Sequence, residues 1–347
     1  MDEHYAIAQQ FDIGNIIGIT PYGNGRTHAT YHIAAGTDEE YILQKLHSAF
    51  SPTLLEDFEH ITAHLDARGL VTPALMKTKA GERGVRAENG LWRMMRYIPG
   101  TSHTAFTPAQ AESAGALVGV FHRALGELSY SFRHALAGFH DTDAIMKRLA
   151  ETLSREKGTE KHRALSAVGE YVCAEYASGK YHFDHLPERI IHGDLKADNI
   201  RFDKAGTHAV ALLDLDTVGK NRIGIDLGDG IRSWTNAVDE NNAAEARFDT
   251  DIFTAMMRGY LSEAHFMTRE EIEALPDAVA RITLELSARF ITDAFEEAYF
   301  TLDTKKYPNL YEQNRTKAEG QMRFYRDFKN KKRLVAEILN DLAGKRA

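Results

Sequence analysis

The run IIHGDLKADNIRF, Ile190 to Phe202, followed by ALLDLDT, Ala211 to Thr217, constrains this chain more than any other part of it. Its apolar runs are short and bounded by polar residues, so the interval from Arg189 to Leu215 reads as short strands and loops. One acid, Asp194, is followed five positions later by an amide, Asn199. Two further acids, Asp214 and Asp216, close the second apolar run.

The rest of the chain divides around this segment. NIIGITPYG reads as a strand entering a turn, THATYHIAA alternates as a half-buried strand does, and EEYILQKL is a third strand. SPTLLEDFEHITAHLDARGL predicts a helix with Ser51 as N-cap, Pro52 in the first turn and Gly69 at the stop. GLWRMMRYIPG is apolar and aromatic and ends in Pro99 and Gly100, which sets a lobe boundary: residues 1–98 form a small β-rich lobe and 99–347 a larger helical one. Helical spacing follows from Thr107 and Pro108, over 141–178, and over 268–300 and 312–342. The expected architecture is α+β and bilobal.

The acids and amide suit phosphoryl transfer, where protein groups position reactants and neutralise charge. Asp194 fits the acid that orients an attacking hydroxyl and takes its proton, with Gly193 leaving space for a substrate. Asn199 and Asp214 are hard oxygen ligands of the kind magnesium takes. On an extended backbone Asp214 and Asp216 face the same way and repel unless a cation lies between them, so Asp216 joins the metal set. Lys196 is near enough in sequence to reach a transferred phosphate. Asp198-Asn199 alone would pass for a turn, and DLD for a solvated strand end; the joint pattern is what selects the chemistry. The turn PYGNGRT has Gly23 and Gly25 placed to let backbone amides approach phosphates, although a plain Asn-Gly hairpin explains it too.

The remaining features narrow the class. The 347 residues are 43% hydrophobic and 27% charged with a formal net charge of -8, and no basic stripe stands out, so nucleic acid is not expected as a partner. No apolar run approaches membrane-spanning length and the N-terminus has no apolar signal core, which makes the expected location cytoplasmic and away from membranes. The single cysteine, Cys173, excludes an intrachain disulfide and reads as a core residue. His60 and His64 share a helical face but have no third ligand for zinc. Phe290, Phe295, Tyr299 and Phe300 read as core, with one ring available to stack on a sugar.

With these residues in hand, the chain resembles the aminoglycoside phosphotransferase-like kinases, a superfamily that includes choline, homoserine and sugar kinases. PYGNGRTHATYHI, YILQKLHSAF, RIIHGDLKADNIRF, LLDLDTVGKNRIGIDLGDGIRS and ARFITDAFEEAYF are in addition similar, in that order, to the bacterial N-acetylhexosamine 1-kinases. The resemblance implies a protein-kinase-like fold with ATP and Mg2+ between the lobes. It makes Asp194 the base, and Asn199 and Asp214 the metal ligands with Asp216 assisting. It matches Glu59 to the small-lobe helix glutamate, Met95, Tyr97 and Ile98 to the adenine hinge, and Asp226 to a brace of the catalytic loop. It places Asp229, Arg232, Arg289 and Tyr299 near the acceptor. Gln44 stands where many kinases have a phosphate-binding lysine, a change the hexosamine kinases share. Arg26 and His28 stand where those enzymes carry histidine and asparagine, so contact of these two residues with the sugar would alter acceptor preference.

The expectation is therefore an ATP-dependent small-molecule kinase, most closely a sugar 1-kinase. The alternatives are a kinase of a cationic acceptor, for which Asp293, Glu296 and Glu297 would supply carboxylates, and a non-catalytic nucleotide-binding module. DLD in place of D-F-G, and no A-P-E element, argue against a protein kinase.

Overall fold

Alternating apolar residues in the first hundred positions build a sheet with two different faces. The computed structural model describes residues 3–23, 28–36, 39–48, 50–134, 138–179, 181–236, 238 and 242–345. After a short helix α1 (Glu3–Ala8) come β1 (Ile16–Pro21), β2 (Ala29–Ala35) and β3 (Glu40–Lys45), then helix α2 (Leu54–Asp66), β4 (Val85–Ala87) and β5 (Gly90–Arg96). The five strands pair antiparallel in the order β1-β2-β3-β5-β4. Leu43, Met94 and Trp92 pack on one face with Phe11 and Ile33. Their chain neighbours Ile42 and Met95 point to the other face, into the main core with Phe58 and Ile61 of α2.

Helix α2 begins two residues later than the sequence suggests. Leu54 donates to the carbonyl of Ser51 and Leu55 to that of Pro52, so the chain enters the helix through a tight turn. Ser51 bonds Thr53 rather than capping the helix. The stop is where it was expected, at Gly69 with φ +79°.

The helical part contains α3 (Pro108–Gly126), α4 (Thr142–Arg155), α5 (Glu160–Ser178), α6 (Ile223–Trp234), α7 (Thr250–Glu263), α8 (Arg269–Glu273), α9 (Leu275–Glu296) and α10 (Leu310–Gly344). Thr107 and Gln110 form a reciprocal capping box on α3, with Pro108 in the first turn. Helices α3 and α7 cross closely because glycine lines the contact: a Cβ on Gly259 would lie 1.9 Å from the Glu112 carbonyl.

Two small ribbons are set among these helices. β6 (Glu188–Ile191) pairs with β9 (Gly219–Arg222), and β7 (Ile200–Phe202) pairs with β8 (Ala209–Leu212). Their connecting loops carry the acidic motif. No described helix is long and apolar enough to cross a membrane.

Candidate active site

Strand β6 ends at Ile191 and delivers His192, Gly193 and Asp194 into a loop. Gly193 has φ +87°, and a Cβ there would sit 2.6 Å from the Thr217 carbonyl, so the turn requires glycine. Asp226 of α6 accepts from the amides of His192 and Gly193, each at 2.8 Å, and from His122 Nε2 at 2.8 Å. The loop is thus braced from below by a fully buried carboxylate.

Asp194, Lys196, Asn199 and Asp214 converge at the loop ends. Lys196 Nζ donates to Asp194 Oδ2 at 2.5 Å and lies 4.0 Å from Asp214 Oδ2. The Asn199 amide nitrogen donates to the Asp194 carbonyl at 2.8 Å and to its Oδ2 at 3.2 Å, which leaves the amide oxygen as the atom Asn199 can offer a cation. Burial alone would raise the Asp194 carboxyl; Lys196 outweighs it and holds Asp194 below its ordinary value, ionised at neutral pH. Asp214 goes the other way. Its side chain is 39% exposed, yet the protein packed around it raises the carboxyl, Asp216 and Asp194 add to the rise, and Lys196 at 4.0 Å does not offset them. Lys196 is itself held above the usual lysine range: burial would lower it, but Asp194 and Asp214 prevail. The donor set of an amide oxygen and an under-compensated carboxylate fits a hard divalent cation.

The two acids of DLD do not share an extended backbone. β8 ends at Leu212, Asp214 is left-handed at φ 61°, and residues 215–217 form one tight turn. This turn sends Asp216 inward. Its oxygens take a bidentate pair from Arg93, at 2.5 and 2.7 Å, and a bond from His28 Nε2 at 2.9 Å. Burial would raise this carboxyl, yet Arg93 and His28 hold it far below the usual carboxylate range. The cation that neutralises Asp216 is therefore Arg93 of β5, a residue that strand periodicity alone did not single out. Gln44 accepts from the same guanidinium at 2.7 and 3.0 Å and donates to Thr30, so it supports Arg93.

Three other residues of the expected site are held by protein partners. His28 is buried, with Nδ1 accepting from the His47 amide and Nε2 on Asp216, so it is not presented to an acceptor. Asp216 accepts from Arg93 and His28, and its oxygens lie within 4.8 Å of ligand atoms of His28 and Asp214, close enough for the three to share a metal ion. Glu59 of α2 is partly buried and pairs with Lys77 and Arg83 rather than with a residue of β3 or of the acidic group. Gly25 and Arg26 lie outside the described residues; Gly23, at φ 71°, ends the segment before them.

At the positions expected for the hinge, 95–98, the backbone is partly committed. The Tyr97 amide donates to the Glu40 carbonyl, and the Ile98 carbonyl accepts from Arg201 Nε at 2.9 Å. Arg201 also bonds the Tyr97 hydroxyl, while Met95 is buried in the main core. Asp229 and Arg232 are buried and paired to each other at 2.8 Å on α6. Arg289 of α9 bonds the Tyr299 hydroxyl and stacks over that ring, its guanidinium carbon 4.8 Å from the centroid. Tyr299 itself is 64% exposed. His64 bonds the Ala124 carbonyl and Cys173 is half-buried, both outside the acidic group.

Known proteins share this arrangement's framework. Residues 18–260 match the phosphotransferase enzyme family. The homoserine kinase of Granulibacter bethesdensis is 22% identical over 309 residues, 88% of this chain and 90% of its own length. That of Neisseria meningitidis serogroup B is 21% identical over 260 residues, 75% and 78% of the two chains. Among solved structures, an aminoglycoside phosphotransferase from Alicyclobacillus acidocaldarius superposes with TM-score 0.63 at 13% identity, over 95% of this chain and 96% of that one. A microcompartment-associated aminopropanol kinase does so with TM-score 0.63 at 16% identity, over 94% and 98%. With a match over most of its length, an antiparallel sheet joined to a helical body, and the loop chemistry above, this chain belongs to the phosphotransferase enzyme family and is a small-molecule kinase of an alcohol acceptor.

Proposed function

We propose that this kinase transfers the γ-phosphate of ATP, with magnesium, to the anomeric hydroxyl of an N-acetylhexosamine or a related hexose. The observation that carries the acceptor class is the state of the acids a cationic acceptor would need. Asp293 is buried and accepts from the amides of Ala298, Tyr299 and Phe300 and from Asn314. Glu296 is paired with Arg148 and Arg155, and Glu297 with Lys161. All three are engaged, while Arg289 faces Tyr299 as a cation on an aromatic shelf. That wall suits a neutral, oxygen-rich acceptor better than an aminoglycoside.

In this reading Asp194 accepts the hydroxyl proton, the acceptor oxygen forms its bond to the γ-phosphorus, and the bond to the β-phosphate bridge breaks to release ADP. Asn199 and Asp214 hold magnesium, whose chemistry when bound is to neutralise phosphate charge. Lys196 moves from Asp194 towards the transferred phosphate. The hinge residues Met95, Tyr97 and Ile98 take the adenine through backbone groups other than the Tyr97 amide and Ile98 carbonyl, and Gly23 lies at the phosphate end. Arg289 and Tyr299 contact the acceptor, with Asp229 and Arg232 behind the loop. The cytoplasm, where ATP is abundant, is the proposed location.

A second reading takes support from the homoserine kinase relatives: Arg289 would then pair with the carboxylate of an amino-acid alcohol. The test is product identification by phosphorus and proton NMR after incubation with ATP, magnesium and a panel of N-acetylhexosamines, hexoses, homoserine, aminopropanol and aminoglycosides. An anomeric phosphate establishes the first reading. Turnover of homoserine alone establishes the second, and turnover of aminoglycosides alone removes both.

A further inference from the structure

We propose that His140 is a positioning residue of the phosphoryl-transfer site and works there as an imidazolium, a role that rests on the reading of Asp194 as the base. Its Nδ1 lies 2.9 Å from Glu285 Oε1 and its Nε2 lies 2.8 Å from the Gly193 carbonyl. A carboxylate and a carbonyl can only accept, so a ring bonded to both must carry two hydrogens. Three other histidines near the loop need only one. His192 Nδ1 accepts from the Asp194 amide and its Nε2 donates to the Leu213 carbonyl. His28 Nδ1 accepts from the His47 amide and Nε2 donates to Asp216. His122 meets Asp226 and the Tyr260 hydroxyl, which can itself donate.

The site of the contact explains its use. Gly193 has no side chain by which the catalytic loop can be held, so its two peptide groups are the handles. Asp226 holds the amide from α6 and His140 holds the carbonyl from the start of α4. A hydrogen-bonded chain then runs from Glu285 through His140 and the Gly193–Asp194 peptide to His192 Nδ1, and from His192 Nε2 to the Leu213 carbonyl, one residue before Asp214. It ties α9, the helix that carries Arg289, to both Asp194 and Asp214. A charged donor at its head polarises each bond below it.

The surroundings sustain the charge. Glu285 is buried and its second oxygen accepts from Thr142 at 2.5 Å, which in turn accepts from Arg281. The other charges acting here are Asp229 of α6 on the ring and Arg289 of α9 on Glu285. Burial opposes a charged ring; Glu285 outweighs it and raises the imidazole above its ordinary 6.5. His140 also keeps a left-handed backbone, φ 58°, which is unfavourable for a residue with a Cβ and marks the position as held by its contacts.

The full chain, labelled with nitrogen-15 histidine, reads the proton count directly, and ADP release from magnesium–ATP with water as acceptor reads the site without presuming a sugar. The expected spectrum has the His140 ring doubly protonated at neutral pH and titrating above the ordinary imidazole value; its signal is absent in His140→Gln and becomes that of a neutral ring in Glu285→Gln. Both variants are expected to lose about 10–100-fold in kcat with little change in KM for ATP, and to lack the alkaline decline of kcat that the wild type shows. A His140 ring with a single proton at neutral pH overturns the inference, and so does a kcat for His140→Gln within about twofold of wild type. If that variant does not fold, the Glu285→Gln spectrum and the wild-type pH profile decide. Retained turnover in Asp194→Asn would instead overturn the base assignment, and the two failures are distinct because the spectrum needs no turnover.

Discussion

The acids of the loop region, 194–216, and those at the end of α9, 293–297, meet opposite surroundings. At the helix end every carboxylate has its own partner: Asp293 has three backbone amides and Asn314, Glu296 has two arginines, and Glu297 has Lys161. In the loops, Asp216 is neutralised by Arg93, Asp194 shares Lys196, and Asp214 is left with a lysine at 4.0 Å and two acidic neighbours. Similar residue types thus make a structural wall in one place and an under-compensated acidic group in the other. What separates them is whether the fold supplies each acid with its own cation or set of hydrogen-bond donors.

Substitutions break this contrast in graded ways. Asp194→Asn is expected to lower kcat by about 10³-fold while nucleotide affinity stays within a few-fold, measured by steady-state kinetics and by calorimetric titration with an ATP analogue. Full retention of kcat would remove Asp194 from the chemistry. Arg93→Met is expected to cost about 3–5 kcal/mol of stability, because it leaves Asp216 buried with only His28. It also frees Asp216 to compete for metal, so the magnesium titration of activity should shift. A denaturant midpoint equal to wild type would show that the pair contributes little. Asp293→Ala is expected to cost about 2–3 kcal/mol and to raise KM for the acceptor without moving KM for ATP. An acceptor KM that stays put would detach the 298–300 segment from acceptor binding.

The smallest effect belongs to Glu296→Gln, worth less than about 1 kcal/mol because its partner Arg148 is mostly exposed. Burial would raise the Glu296 carboxyl, but Arg148 outweighs it and lowers the value below the ordinary 4.5. A lowered folded value means the stabilisation is present above about pH 4.5 and is lost as pH falls through the folded value. The difference in Tm between wild type and variant should therefore close on acidification. A gap that widens would contradict the pairing.

Local signals made much of this readable. Strand alternation in THATYHIAA and EYILQK, the Thr107-Pro108 start of α3 and the Gly69 stop of α2 are decided within a few residues of each position. The order Asp194, Asn199, Asp214 is legible for the same reason, since one ribbon and its loops hold all three. An apolar run followed by an acid does not report the left-handed turn at Asp214, so the DLD geometry is not legible in the sequence. Arg93 and His140 escaped notice because their partners are remote: Arg93 meets Asp216 across 123 positions, and His140 meets Gly193 across 53 and Glu285 across 145.

The sequence by itself determined the elements, their α+β order and the residue types available for chemistry, because these depend on periodicity, capping and spacing along the chain, while its motifs carried the resemblance to the phosphotransferase family. Only the tertiary structure decided which acids stay available. It gave Asp216 and Glu59 their own cationic or histidine partners and left Asp214 under-compensated, since Coulomb energy and hydrogen bonding follow distance in space and the partners come from His28 just before β2, from Arg93 of β5 and from Lys77 and Arg83, none of them adjacent in the chain.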